Sequence, residues 1–99
     1  MQVVKRDGRI VDFDKQKILA AIEKANAEVK PRERANKENI KEIVEYITGL
    51  DKKRILVEDI QDIIEEKLME YGKYFLAKKY ITYRYTRELV RKANTTDQS

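Results

Sequence analysis

Apolar residues recur every three or four positions in four stretches of this chain and alternate with polar ones near its start. Ile18, Ile22 and Ala25, with Leu19 and Ala21 beside them, mark one face of a first helix that Asp14 is placed to cap. Ile40, Ile43, Val44, Ile47 and Leu50 keep the i, i+3, i+4, i+7 spacing of a second buried face, which Gly49 and Asp51 bring to an end. Ile60, Ile63, Ile64, Leu68 and Tyr71 form a third stripe, stopped by Gly72. A fourth helix is predicted from about residue 74 to 92, with Ala77, Tyr80, Ile81 and Leu89 facing inward. Pro31 lies in a polar connection over residues 30–36.

The alternating start reads as a hairpin. Residues 3–6 and 9–13 flank Asp7-Gly8, a dipeptide that supplies the positive φ angles of a two-residue turn. Such a turn opposes Arg6 to Arg9, Lys5 to Ile10, Val4 to Val11 and Val3 to Asp12. One face then carries Val4, Val11 and Phe13, and the other carries Val3, Lys5, Ile10 and Asp12. A lone hairpin is marginal in water, so one face must be covered. Arg54-Ile55-Leu56-Val57 is a short apolar run able to add a third strand. The expected fold class is therefore α+β: a four-helix bundle capped by an N-terminal β-hairpin or a small three-stranded sheet.

Ninety-nine residues suit one domain of this kind. The absence of Cys and His removes thiolate nucleophiles, imidazole bases, disulfides and Cys/His zinc sites from consideration. Binding is thus expected rather than catalysis. No stretch approaches 18 consecutive apolar residues and the start is unlike a signal peptide, so a cytoplasmic protein without membrane contact is expected.

Charge changes the picture further. Residues 38–70 hold ten acidic and five basic residues, whereas residues 73–92 hold seven basic residues against Glu88 alone. One reading is that the fourth helix neutralises the third across the bundle. The other is an anion site. Arg84 falls on or beside the buried stripe and Arg87 on an adjacent line, where a cation is costly unless paired. Lys5 and Arg6 precede the turn, and Lys15 and Lys17 open the first helix, whose N-terminal dipole also favours an anion.

Val3-x-Lys5-Arg6-Asp7-Gly8, then Phe13-Asp14 and Lys17-Ile18, resembles the opening motif of the ATP-cone domain, the nucleotide-binding regulatory module found at the N-terminus of many ribonucleotide reductases and in their transcriptional repressor. The resemblance continues in Val57-Glu58-Asp59-Ile60-Gln61-Asp62-Ile63-Ile64 and in Ala77-Lys78-Lys79-Tyr80-Ile81-x-Tyr83-Arg84-x-x-Arg87, and assigns residues 1–93 to the module. It implies that Lys5, Arg6 and Lys17 hold phosphates of ATP or dATP, and that Val3 and Ile18 touch the base or sugar. It further implies that Asp14 lies beside the sugar or phosphates, that Gln61 presents a polar group, and that Arg84 and Arg87 add cationic contacts. Val11 stands where some aerobic reductases carry an acidic residue, which points to different base recognition. Mg²⁺ is expected only as a companion of the phosphates, because no carboxylate cage is visible.

Residues 87–97 are similar to the junction after this module in anaerobic ribonucleoside-triphosphate reductases, the glycyl-radical class. That similarity implies an allosteric domain controlling overall activity, with ATP permissive and dATP suppressive. Residues 94–99 would be a polar tail or a linker to a catalytic domain, and self-association is a further implied contact. The alternatives are the cone of the repressor, a basic helical module that binds nucleic acid through Tyr74, Tyr80, Tyr83 and Tyr85, and a helical domain that binds only protein.

Overall fold

A computed structural model describes residues 1–97; the last two positions of the expected tail, Gln98 and Ser99, lie outside the described residues. The chain runs β1 (Gln2–Val4), β2 (Ile10–Asp12), α1 (Lys15–Asn26), a single 3-10 turn (Pro31–Glu33), α2 (Lys37–Thr48), β3 (Arg54–Leu56), α3 (Val57–Glu70) and α4 (Tyr74–Asp97). The three strands form one mixed sheet in the order β2-β1-β3, with β1 antiparallel to β2 and parallel to β3. This is the α+β arrangement of a small sheet on four helices.

Local chemistry accounts for the element ends. The Asp14 side chain accepts the Gln16 amide at 2.9 Å and opens α1. Asn36 and Asn39 exchange side-chain and backbone bonds in a capping box that starts α2. Gly72, at φ +75°, closes α3: its amide donates to Met69, and the Lys73 amide donates back to Leu68. Asn26 clamps the 30–36 connection through two bonds to the Ala35 backbone, which draws Ala35 into the core.

The core is one cluster. Ile22, Ile43, Ile47, Ile64, Leu68 and Leu76 are its largest fully buried side chains, each removing apolar surface worth roughly 1.5–3 kcal/mol. Val3 and Ile55, directly paired across β1 and β3, close it from above.

Three expectations need correction. The hairpin is joined by three residues rather than two. Gly8 sits at φ +88°, its amide donates to the Lys5 carbonyl, and the Lys5 amide donates to the Arg9 carbonyl. The register is therefore Val3 to Val11 and Val4 to Ile10, one residue away from that of a two-residue turn. A one-residue shift reverses which residues share a face. Val3, Lys5, Val11 and Phe13 now lie together toward the helices, while Ile10 is turned out and exposed. In α4 the inward line is Leu76, Ala77 and Tyr80; Ile81 and Leu89 are exposed at 40% and 48%. The reason is helical phase, since a line through residues 77, 80, 84 and 87 leaves residue 81 on the flank and residue 89 on the opposite face. Finally, α4 extends to Asp97 instead of stopping near residue 92.

Two stability consequences follow from this packing. Ile22→Ala, at a site with no solvent exposure, should cost about 2–5 kcal/mol in denaturant unfolding. Burial, and then a 2.8 Å hydrogen bond from the Tyr71 hydroxyl to Glu42, push the Tyr71 phenol up to about 12. The raised folded-state value makes its contribution complete below pH 10 and lost as pH rises toward 12. Tyr71→Phe should show a shallower loss of stability than the parent over that interval in alkaline unfolding titrations.

Candidate functional site

A cavity of about 380 Å³ opens between the inner face of the sheet and the facing sides of α1, α3 and α4. That size falls within the range of small-molecule sites. Its floor and walls are apolar, built from Val3, Val11 and Phe13 of the hairpin, Ile18 and Ala21 of α1, Val57, Ile60 and Ile64 of α3, and Tyr80 of α4. Five cations surround this floor: Lys5, Arg6, Lys17, Arg84 and Arg87. All nine residues singled out from the sequence (Val3, Lys5, Arg6, Asp14, Lys17, Ile18, Gln61, Arg84 and Arg87) line this one space.

Secondary structure explains how they meet. Alternation along β1 puts Val3 and Lys5 on the covered face, and the parallel pairing with β3 lays that face over the start of α3. Ile18 and Lys17 are adjacent in the first turns of α1, one buried and the other exposed at the rim. In α4 the inward line that is apolar at Leu76, Ala77 and Tyr80 becomes polar at Tyr83, Arg84, Arg87 and Glu88, where the helix passes the cavity. The helix that seals the core at one end thus lines the cavity with charge at the other.

Two of the three guanidinium groups that line the cavity, Arg6 and Arg84, are already matched by carboxylates. Arg84 binds Glu65 at 2.8 Å and Asp62 at 3.3 Å, both on α3. Burial by itself would lower the Arg84 pKa, but these two partners outweigh it and the net direction is upward. The neutralisation of the third helix by the fourth is thus realised at Arg84 while the same residue still borders the cavity. Arg6 reaches from the turn to Glu88 at 2.9 Å and Glu58 at 3.8 Å, and donates to the Gln61 side-chain oxygen at 3.1 Å. Lys17 and Arg87 make no ion pair among the described residues. The first-turn dipole of α1 faces the same space, although the Asp14 carboxylate already takes the Gln16 amide. Asp14 is therefore a helix cap that also borders the cavity.

Reading the sequence overlooked Glu88, Tyr83 and Asp12 in the lining. Glu88 had a visible signal: it is the sole acid in residues 73–92 and lies one helical turn beyond Arg84. Tyr80, included in the tyrosine set of the nucleic-acid alternative, is buried, and burial pushes its phenol well above the usual value. Among the described residues no group of three or more acidic side chains is set to hold a metal ion, and no helix is long and apolar enough to cross a membrane. The lining contains no Ser, Thr, Cys or His. It offers an apolar shelf beside five cationic and three acidic side chains.

Comparison with known proteins agrees with this architecture. The family model described as the ATP cone domain matches residues 1–89. The "Ribonucleoside-diphosphate reductase subunit alpha" of Chlamydia trachomatis is 37% identical over 110 residues, spanning all of this chain and 10% of that protein. The "Vitamin B12-dependent ribonucleoside-diphosphate reductase" of Thermoplasma acidophilum is 44% identical over 96 residues, covering 91% of this chain and 12% of the relative. The "Anaerobic ribonucleoside-triphosphate reductase" of Haemophilus influenzae is 36% identical over 90 residues, covering 90% of this chain and 13% of its own length. The chain thus spans about a tenth of these relatives.

The Arg84 geometry makes its own prediction. Arg84→Ala leaves the half-buried Glu65 carboxylate without its close cation and should lower stability by about 1–2 kcal/mol, whereas the Arg84→Ala/Glu65→Gln pair should recover part of that loss. Urea unfolding of the two variants measures both effects.

Proposed function

This chain belongs to the ATP cone domain family, and from that premise we propose that it is an allosteric domain that binds ATP and dATP in the cavity beneath its sheet. The observation that carries the proposal is the convergence of five cations from the hairpin, α1 and α4 on one apolar-floored space. In this reading Lys5, Arg6, Lys17 and Arg87 hold the phosphates, with Arg84 at their edge. Val3 and Ile18 support the base or sugar, and Gln61 offers a polar contact. Asp14 sits near the sugar. Mg²⁺, where present, travels with the phosphates, since the three lining carboxylates Asp12, Asp14 and Glu88 come from separate elements.

A regulator needs ligands that favour its two states unequally, because equal affinity shifts no population. ATP and dATP differ by one hydroxyl, so their opposed effects would arise from contacts near the sugar or from a second bound nucleotide. The parent would be a ribonucleotide reductase whose catalytic domain is joined to this one. The similarity of residues 87–97 favours the anaerobic triphosphate reductase as that parent. A diphosphate reductase is the second reading, favoured by the 44% identity of the vitamin B12-dependent relative.

Replacing Lys5 or Lys17 by Ala should weaken ATP binding on the order of tenfold each, as expected for loss of one charge-assisted phosphate contact. Calorimetry with ATP, dATP, ADP and GTP checks this. Equal affinity in parent and variants would remove the site assignment, and absence of binding by all four nucleotides would remove the nucleotide reading.

A further inference from the structure

Arg6 and Glu88 form an ion pair that borders the cavity from opposite sides, 2.9 Å apart between the hairpin turn and α4. Both side chains are mostly covered, at 23% and 28% exposure, so the pair is screened less than a surface one. The same Glu88 oxygen also draws Lys92 at 3.7 Å. The other partners of Arg6 are weaker: a neutral oxygen of Gln61 and a carboxylate of Glu58 at 3.8 Å. Arg84 is held differently, because both of its partners stand on α3 behind the wall. Glu88 is therefore a carboxylate that lines the cavity and already occupies a guanidinium suited to phosphate.

We infer that Glu88 is an internal counter-ion which a phosphate-bearing ligand must displace from Arg6, so that this residue sets the affinity of the site. The inference rests on the nucleotide reading above and deepens it. A phosphate group offers Arg6 a bidentate acceptor carrying more charge than a carboxylate, and so wins the exchange. The displaced Glu88 keeps Lys92 as its remaining partner, so the cost of binding is the broken Arg6 pair. Occupancy is thereby linked to α4: binding breaks the bond between the hairpin turn and the helix face that carries Glu88. A ligand with fewer phosphates supplies less charge to offset the lost pair, which tilts the site toward triphosphates.

The test is a double-mutant cycle with ATP and with inorganic tripolyphosphate as probes, read by calorimetry on the whole chain. Glu88→Gln keeps the side-chain shape and should tighten ATP roughly threefold to tenfold, with a similar gain for tripolyphosphate. In an Arg6→Gln background the same change should have little effect, because no guanidinium remains to be released. Glu88→Asp, which shortens the reach to Arg6, should give an intermediate gain and guards against an artefact of folding in one variant. Unchanged or weakened ATP binding by Glu88→Gln, or an equal gain with and without Arg6, overturns the counter-ion role while leaving the nucleotide site intact. Failure of the parent protein to bind either probe overturns the nucleotide reading and this inference together.

Discussion

Much of this molecule depends on how three residues turn the chain between β1 and β2. Because Gly8 takes a left-handed conformation after Arg6 and Asp7, Val3 stands opposite Val11 and both face the helices with Lys5. One residue fewer in the loop would send Val11 to the other face and bring Ile10 inward beside Lys5. The sheet would still close the core through Val3 and Ile55, but the apolar floor of the cavity would lose a wall. The same turn carries Arg6, so a single loop geometry places both the shelf and one of the cations above it.

The second constraint is electrostatic. Cations beside apolar surface are expensive unless matched, and here carboxylates from α3 and α4 match Arg84 and Arg6, two of the three guanidinium groups that line the cavity. Arg84 is tied to the wall by two acids and serves the packing of α4 on α3. Arg6 is tied across the cavity by one close acid and serves the opening. The division of labour follows from where the partners stand, since the Arg84 pairs lie within the helical layer, while the Arg6 pair spans hairpin and helix.

The helices were legible because their information is local. The stripes at Ile18/Ile22/Ala25, Ile40/Ile43/Ile47 and Ile60/Ile64/Leu68 are the buried lines observed, and Asp14 and Gly72 mark the ends they suggested. The set of residues around the cavity was also legible, through a resemblance that marks the hairpin, α1, α3 and α4 together. In the packing of α4 two things were hidden. Leu76 is fully buried although it lies next to Ala77 at a helix start, where periodicity has few residues to count. Ile81 and Leu89 looked buried because they are apolar, but the inward line of α4 turns polar where it meets the cavity instead of the core.

By itself the sequence determined the elements, the class of fold and the kinds of side chain available to a site, because spacing, caps and breakers act over a few residues. It also excluded imidazole and thiol chemistry by composition alone. Only the tertiary structure decided the hairpin register, the phase of α4 and the pairing of each guanidinium with its carboxylate. Those outcomes turn on one residue in a loop and on groups such as Arg6 and Gln61, 55 positions apart, whose meeting is set by how the layers pack.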